Sequence, residues 1–340
     1  MKSAARLLAL GLAWPAALAA TAWAVGALAF DFPWPSLRAA AAAVFAAAAA
    51  ATLWLVPGAL RKALAVTALA ALVAAWWLTL KPRLDRDWQP DVARLPHADI
   101  NGDVVILHDV RNFDYHTATD ATPRWETRTV NLSRLTGADI AINYWGSPWM
   151  AHPIISFQFS DAPPLCFSIE TRKEVGEKYS ALGGLYRRFE LIYVVADERD
   201  VIRLRTSFRT SEDVYLYRTK LTPHQARVRF VEYLHTLNHL HTTPHWYNAI
   251  TTNCTTAIRA QTPTNERQPW DWRMLVNGKG DEMMFERGQF VTDGLPFPEL
   301  RRRAHANEAG RAATASPDYS KLIRVGRPGF GETPEAGEHR

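Results

Sequence analysis

The sequence predicts an α+β protein in which N-terminal transmembrane helices precede a domain with a mostly antiparallel sheet. Three observations support this fold class. Long apolar stretches without charged residues crowd the first 80 of the 340 residues. Segments with strand-like patterns follow, separated by turn-forming residues. A strongly patterned amphipathic helix comes only after them. This order is typical of a membrane anchor joined to an α+β domain.

Three apolar stretches predict the membrane anchor, which we place at residues 1–82. They cover residues 7–30, 39–60 and 63–80 and contain no acidic or basic residue. Each is about 20 residues long, which is enough for a helix to cross a bilayer. The middle stretch is mostly alanine, so it inserts weakly and is expected to lie tightly against its neighbours.

Basic residues that flank the spans predict their orientation. Lys2 and Arg6 precede the first span, Arg61 and Lys62 separate the second from the third, and the loop after the first span holds only Arg38. Because basic flanks stay in the cytoplasm, we expect a bacterial inner-membrane protein whose remaining chain faces the periplasm. Reading the first span as a cleaved signal peptide gives the same compartment.

The domain after the anchor is predicted to be built from short strands. Val/Ile-rich or alternating segments lie at 103–110, 125–132, 139–145, 152–159, 165–172, 189–197 and 212–220. The stretch "SDAPP" separates the fourth and fifth of these and contains prolines that cannot continue a ladder. These two strands are therefore predicted to form an antiparallel hairpin.

Helices are predicted after the strands. Thr222 has the side chain of an N-cap, Pro223 suits the first helical position, and Gln225 completes a capping box. A second helix is expected to start at Cys254. We place this main domain at residues 83–310 and a polar tail at 311–340, because the chain from about residue 300 has little to bury and its last dozen residues are expected to be disordered.

Cys254 is one of only two cysteines and lies in the stretch "WYNAITTNCTTAI". Asn253 before it is a good N-cap, so Cys254 would occupy the first helical position, where the helix dipole favours a thiolate. That position suits a nucleophile. An inert thiol in a polar turn is the alternative, and a disulfide between Cys166 and Cys254 is another, because the predicted compartment is oxidising.

A cysteine nucleophile needs a base and a group that orients it. His152 opens the first strand of the predicted hairpin, after a turn-rich segment. On the paired strand, Ser168 and Glu170 are polar among apolar neighbours, and a carboxylate there could hold an imidazole in one tautomer. Pairing residue 160 with residue 166 places Glu170 and Glu174 on the face of the histidine, whereas a slip of one residue would move both away.

A cysteine at a helix N-terminus and a histidine on a strand are arranged as in papain-like thiol enzymes. The histidine precedes the cysteine here, which is the order expected of a circularly permuted relative. The sequence therefore predicts a permuted papain-like domain with Cys254 as nucleophile, His152 as base and Glu170 as orienting residue.

Longer segments resemble one known family. The strings "NYWGSPWMAHPIISFQFSD", "FSIETRKEVGEKYS", "ELIYVVADERDVIRLRT", "EDVYLYR" and "PHWYNAITTNCTTAI" are similar to the N-terminal periplasmic domain of Lnb, the lipoprotein intramolecular transacylase family. The resemblance covers roughly residues 100 to 310. It implies a membrane-anchored domain of the permuted papain-like type, with Cys254 and His152 as the Cys-His site. It also implies transfer of an acyl chain from the diacylglyceryl group of a lipoprotein to its N-terminal amine.

Three functions remain open at this point. The first is a thiol acyltransferase acting on a membrane lipid or a lipoprotein, through a thioester on the cysteine. The second is a cell-envelope thiol amidase or peptidase with the same site. The third is a non-catalytic envelope module in which Cys254 either forms a disulfide with Cys166 or is inert. We expect no cofactor in any of the three.

Two other classes of site are disfavoured by the sequence. His235 and His239 lie one helical turn apart and His241 and His245 follow, but the residue after His235 is threonine where a zincin motif has glutamate. No metal site is therefore predicted. The net charge of +5 is small and dispersed, so no nucleic-acid partner is predicted.

Overall fold

The computed structural model of the protein describes residues 2–331. Within these residues, three helices are long and apolar enough to cross a membrane, as predicted: α1 (Lys2–Asp31), α2 (Arg38–Leu55) and α3 (Ala59–Leu78). The chain divides into two compact units. One unit comprises the residues up to Asp85, together with Lys178–Glu190 and Trp246–Ala249. We call this the anchor unit. It includes two segments that the sequence assigned to the main domain.

Small side chains allow the helices of the anchor unit to approach one another. Ala24, Phe45 and Ala70 form a buried cluster to which each helix contributes one residue. Trp23 and Trp77 meet edge to face, with ring centroids 5.4 Å apart. Packing of small residues is the main attraction available between helices in lipid, where no hydrophobic driving force acts between them.

The second unit comprises Arg86–Glu177, Leu191–His245 and the residues from Ile250 onward. Its strands, including the first residue of β9 from the anchor unit, are β1 (His97–Asn101), β2 (Val104–Arg111), β3 (Asp114–Tyr115), β4 (Ala121–Thr122), β5 (Trp125–Asn131), β6 (Leu135–Trp145), β7 (Ala151–Phe159), β8 (Leu165–Arg172), β9 (Glu190–Asp197) and β10 (Glu212–Arg218). Its α-helices are α4 (Glu198–Arg203), α5 (Pro223–Thr242), α6 (Cys254–Ala260), α7 (Gly280–Glu286), α8 (Phe297–Ala304), α9 (Asn307–Ala312) and α10 (Tyr319–Leu322). The seven predicted strands and both predicted helices are therefore present, with small shifts at their ends.

Eight of the described strands form one sheet in the order β1-β2-β9-β8-β7-β6-β10, with β5 paired to β2. Most of the pairings are antiparallel, as predicted, and the contact of β2 with β9 is parallel. The hairpin of β7 and β8 is found, and its register differs from the pairing considered from the sequence. Ser156, not residue 160, is opposite Cys166. The shift is four residues, an even number, so each side chain keeps the face that the sequence assigned to it.

Alternation along β7 separates two hydrophobic layers. Ile154 and Cys166 belong to a buried cluster with residues of α4 and α10, and we call this side of the sheet the α4 face. Phe157 and Phe167 pack instead on Phe230 of α5, with ring centroids 4.9 and 5.6 Å away, and this side is the α5 face.

Local sequence explains where α5 begins. The hydroxyl of Thr222 accepts from the backbone N–H of Gln225, and the side chain of Gln225 accepts from the backbone N–H of Thr222. Two donors that a helix start leaves unpaired are thereby satisfied, and Pro223 has no such donor. The predicted capping box is confirmed.

The segment after residue 310 is part of the core, so the expectation that it has little to bury is wrong. Tyr319 and Ile323 are fully buried on the α4 face. Arg324 lies 2.5 Å from a carboxylate oxygen of Glu198 and 2.9 Å from one of Asp139, and both carboxylates are inaccessible to solvent. A buried charge network thus fixes this segment. The predicted disorder of the last dozen residues falls mainly on 332–340, outside the described residues.

Candidate functional site

Cys254 is the first residue of α6, as the sequence predicts. The side chain of Asn253 accepts from the backbone N–H of Thr256, and the Thr256 hydroxyl accepts from the backbone N–H of Asn253, at 2.9 Å each. This reciprocal cap fixes the turn that carries the cysteine. The cysteine itself is only 4% exposed.

Asn277 is a neighbour of Cys254 that the sequence did not reveal. Its Nδ2 lies 3.1 Å from Sγ and donates to it. Burial raises the pKa of the Cys254 thiol to about 11, although the hydrogen bonds from Asn277 and Thr255 act in the opposite direction. The resting thiol is therefore protonated at neutral pH, and nucleophilic attack requires a group that removes its proton.

His152, Ser168 and Glu170 form a chain of hydrogen bonds on the α4 face. The Nε2 of His152 lies 2.7 Å from the hydroxyl of Ser168, which donates to Oε1 of Glu170, also at 2.7 Å. The imidazole and the carboxylate are 3.8 Å apart. The structure thus places Glu170 beside His152, with Ser168 as a bridge.

The charges of this group are set by burial and by Arg205. Burial lowers the pKa of His152 to about 4, and the positive charge of Arg205 adds to this effect. Burial opposes ionisation of Glu170, but the Arg205 guanidinium, 3.1 Å away, and His152 hold the pKa of this carboxyl well below its usual range. At neutral pH the imidazole is neutral and can accept a proton, while Glu170 is ionised.

Cys254 and His152 are not brought into contact. Among the described residues, no hydrogen bond joins Sγ to the imidazole. Pro153 and Ile155 line a cavity on the α5 face together with residues of α6. His152 alternates with them along β7, so its side chain projects to the α4 face.

The cavity on the α5 face has a volume of about 480 Å³, within the range of small-molecule sites. Thr255 and Asn277, which both contact Cys254, are among its lining residues. Its apolar wall includes Ile140, Ile142, Pro153, Ile155, Ile258 and Met283. Its cationic residues are Lys220, Arg229, Arg259, Arg267 and Arg287, whereas Glu266 is its acidic residue. An apolar chain with a polar or anionic end would match this lining.

Comparison with protein families shows what the region around this site resembles. Residues 121–278 match the family model of the Lnb N-terminal periplasmic domain. This part of the chain is similar to that domain. The matched residues include His152 and Cys254, as well as Asn277 near their end. With the three apolar helices, this match fits a membrane protein that has a periplasmic domain. No curated protein and no solved structure matches the chain.

Neither a disulfide nor a cluster of metal-binding side chains occurs among the described residues. Cys166 and Cys254, both described, are free and buried. Across residues 2–331, no cluster of three or more His, Cys, Asp or Glu side chains could hold a metal ion. His239 and His245 instead hydrogen-bond each other, with 2.9 Å between their Nε2 atoms.

The imidazole of His152, which is 12% exposed, predicts a pH dependence of stability. Its folded-state pKa of about 4 lies below the ordinary histidine pKa of about 6.5, so below pH 6.5 the unfolded chain binds more protons and stability falls toward pH 4. Between pH 7 and pH 5 the loss should be about 2 kcal/mol. We expect His152→Gln to lose less stability over this range in thermal unfolding of the full chain.

His224→Gln is the matched control, because His224 is exposed on α5. This variant should follow the wild-type pH dependence. Equal losses of stability in wild type and His152→Gln would contradict a neutral imidazole at position 152.

Proposed function

We propose that the protein is a thiol acyltransferase anchored in the bacterial inner membrane, with Cys254 as nucleophile. One observation carries this proposal: a largely apolar cavity of about 480 Å³ is lined by Thr255 and Asn277, which hydrogen-bond the Cys254 thiol. An acyl chain in this cavity would have its carbonyl end near Sγ. The Lnb family match and the apolar helices support a lipid or lipoprotein as substrate.

The proposed reaction has two balanced steps. Sγ of Cys254 attacks the carbonyl carbon of an ester, a C–S bond forms, the C–O bond breaks, and the thiol proton leaves with the alcohol. A free amine then attacks the thioester, an amide forms, and the thiol is regenerated with a proton from the amine. In a lipoprotein, one molecule would supply both the ester and the amine. The amide N–H of Asn277 is placed to stabilise the thiolate.

His152 is the proposed base, and Glu170 its proposed orienting group. The neutral imidazole and the ionised carboxylate have the protonation states that these roles require. Direct proton transfer requires the first residues of β7 to rearrange, because the imidazole projects from the opposite face to the cavity. We propose these three roles together with a permuted papain-like fold. In that fold, a histidine on a strand would act as base for a cysteine at the start of a helix.

Narrowing the cavity tests whether it holds the acyl chain. Ile258→Trp adds volume to the cavity wall beyond Thr255. Each methylene of the acyl chain that the cavity no longer buries loses about 0.8 kcal/mol of binding free energy. If the variant leaves no space for two methylenes, the rate with long-chain ester donors should fall about tenfold. The rate with short-chain donors should change little. Rates would be measured with p-nitrophenyl esters of increasing chain length and a small amine acceptor.

Leu322→Trp is the control, since Leu322 is exposed on α10 and is not among the cavity residues. An equal loss for short and long donors in Ile258→Trp would refute the cavity as the acyl site. The same assay separates transfer from hydrolysis, because a transferase forms the amide product and an amidase or peptidase releases free acid.

A further inference from the structure

Loop 178–190, which connects β8 to β9, returns to the helices of the anchor unit. The ring of Tyr186 stacks on Phe30 of α1, with centroids 5.3 Å apart. Its hydroxyl lies so close to Gly26 that a Cβ there would overlap it. Only glycine permits this approach. Gly26 precedes the end of α1 at Asp31 by five residues, so the phenol reaches about 7.5 Å down the helix at 1.5 Å per residue.

Polar contacts fix the loop to the same ends of α1 and α3. A carboxylate oxygen of Asp31 accepts from the backbone N–H of Arg187 at 2.9 Å and from the indole N–H of Trp77 at 2.6 Å. The Arg187 guanidinium donates to the backbone carbonyls of Trp77 and Leu80 at 2.7 and 2.8 Å. It also lies 3.9 Å above the indole ring. The contacts thus involve both the first and the third apolar helix.

The turn at the tip of the loop satisfies much of its own backbone. The N–H of Gly184 donates to the Ser180 carbonyl, that of Leu185 to Leu182, and that of Tyr186 to Gly183, at 2.9, 3.0 and 3.1 Å. Backbone groups that are already paired can leave water at low cost. Leu182 and Leu185 nevertheless remain 65% and 37% exposed.

We propose that loop 178–190 is inserted into the outer leaflet, with Leu182 and Leu185 in contact with lipid at the boundary between headgroups and acyl chains. The loop is fixed beside the last turns of helices that cross the bilayer, and Tyr186 descends along one of them. If the loop stayed in water, its exposed leucines would gain no free energy from burial. Interfacial segments instead bury apolar side chains about 5–10 Å into the boundary between headgroups and acyl chains. The partner is the membrane lipid itself.

The same loop also holds the segment that leads toward the candidate nucleophile. The backbone N–H of Ala249 donates to the Gly184 carbonyl at 2.7 Å, and that of Tyr247 donates to the Phe189 carbonyl at 2.9 Å. Insertion of the loop would therefore hold residues 247–249 at the membrane surface. The inference concerns membrane contact alone and goes beyond the proposed acyl transfer.

Photocrosslinking in vesicles tests the insertion. The full chain would carry a benzophenone amino acid at position 182 or 185, be reconstituted in phosphatidylethanolamine–phosphatidylglycerol vesicles and be irradiated, and lipid adducts would be counted by intact mass. We expect at least tenfold more lipid adduct at both positions than at Val104, an exposed apolar residue of β2.

Leu72, which is exposed on α3, serves as the reference for a residue within a span. Lipid adducts at Leu72 without adducts above the Val104 level at 182 and 185 would overturn the insertion of the loop. Because no catalysis is measured, this outcome is independent of whether Cys254 transfers acyl chains.

Discussion

Replacing Cys254 with alanine is expected to abolish covalent acylation of the protein. A thiol-reactive acyl probe should add one mass increment to the wild-type chain and none to Cys254→Ala, as read by intact-mass analysis. The physical reason is that the two thiols differ in their surroundings. Cys254 adjoins the cavity through Thr255 and Asn277, whereas Cys166 is fully buried in the apolar cluster of the α4 face. Burial also raises the pKa of the Cys166 thiol far above its usual range, so this thiol stays unreactive.

Cys166→Ala is the matched control and should acylate like the wild type. An adduct that forms in Cys254→Ala as readily as in the wild type would remove Cys254 from the mechanism. The role of His152 as base is tested separately with His152→Gln. A general base accelerates a reaction about 100-fold or more, so acylation of this variant at pH 7 should slow by at least that factor. An unchanged rate would leave Cys254 as nucleophile and make the group of His152, Ser168 and Glu170 a structural one.

Replacing Arg324 with methionine is expected to destabilise the domain by about 3–5 kcal/mol, because it leaves buried carboxylates without a partner. Glu198 would keep the hydroxyls of Ser156 and Ser320, and Asp139 would keep Arg218. The change should be measured as the difference in free energy of unfolding from denaturant titration of the full chain in detergent.

Lys321→Met is the control for this experiment. Lys321 lies on α10 and pairs with Asp318 at the surface, where removing a charge costs less than about 1 kcal/mol. Combining Arg324→Met with Glu198→Leu removes both charges and should recover part of the loss. Equal stabilities of the Arg324 and Lys321 variants would show that the C-terminal segment does not need this network.

Local features of the fold were predictable, because they depend on neighbouring residues. The capping box of Thr222 and the helix start at Cys254 follow from side chains that bond within three or four positions. The face of Glu170 depends on the register, and it agrees with the pairing considered from the sequence because the observed shift is an even number of residues. The pairing itself was not predictable, because the hairpin turn gives no sequence signal strong enough to fix it.

Contacts between distant segments could not be predicted from sequence pattern. Asn277 reaches Cys254 across 23 positions, and Arg324 reaches Glu198 across 126. Neither residue lies in a periodic segment that signals burial. The return of Arg187 to Asp31 spans 156 positions and likewise has no local pattern. The separation of His152 from the cavity is a result of three-dimensional packing, because it depends on which face α6 covers.

The placement of the two cysteines on different sides of one sheet constrains the order in which the domain can fold. In an oxidising compartment, a bond between Cys166 and Cys254 in the unfolded chain would tie together two segments that the native sheet keeps apart. Such a bond would prevent the chain from reaching the native fold. The hairpin of β7 and β8 is a local structure that can close early and bury Cys166. Rapid closure of this hairpin would keep the remaining thiol reduced and available.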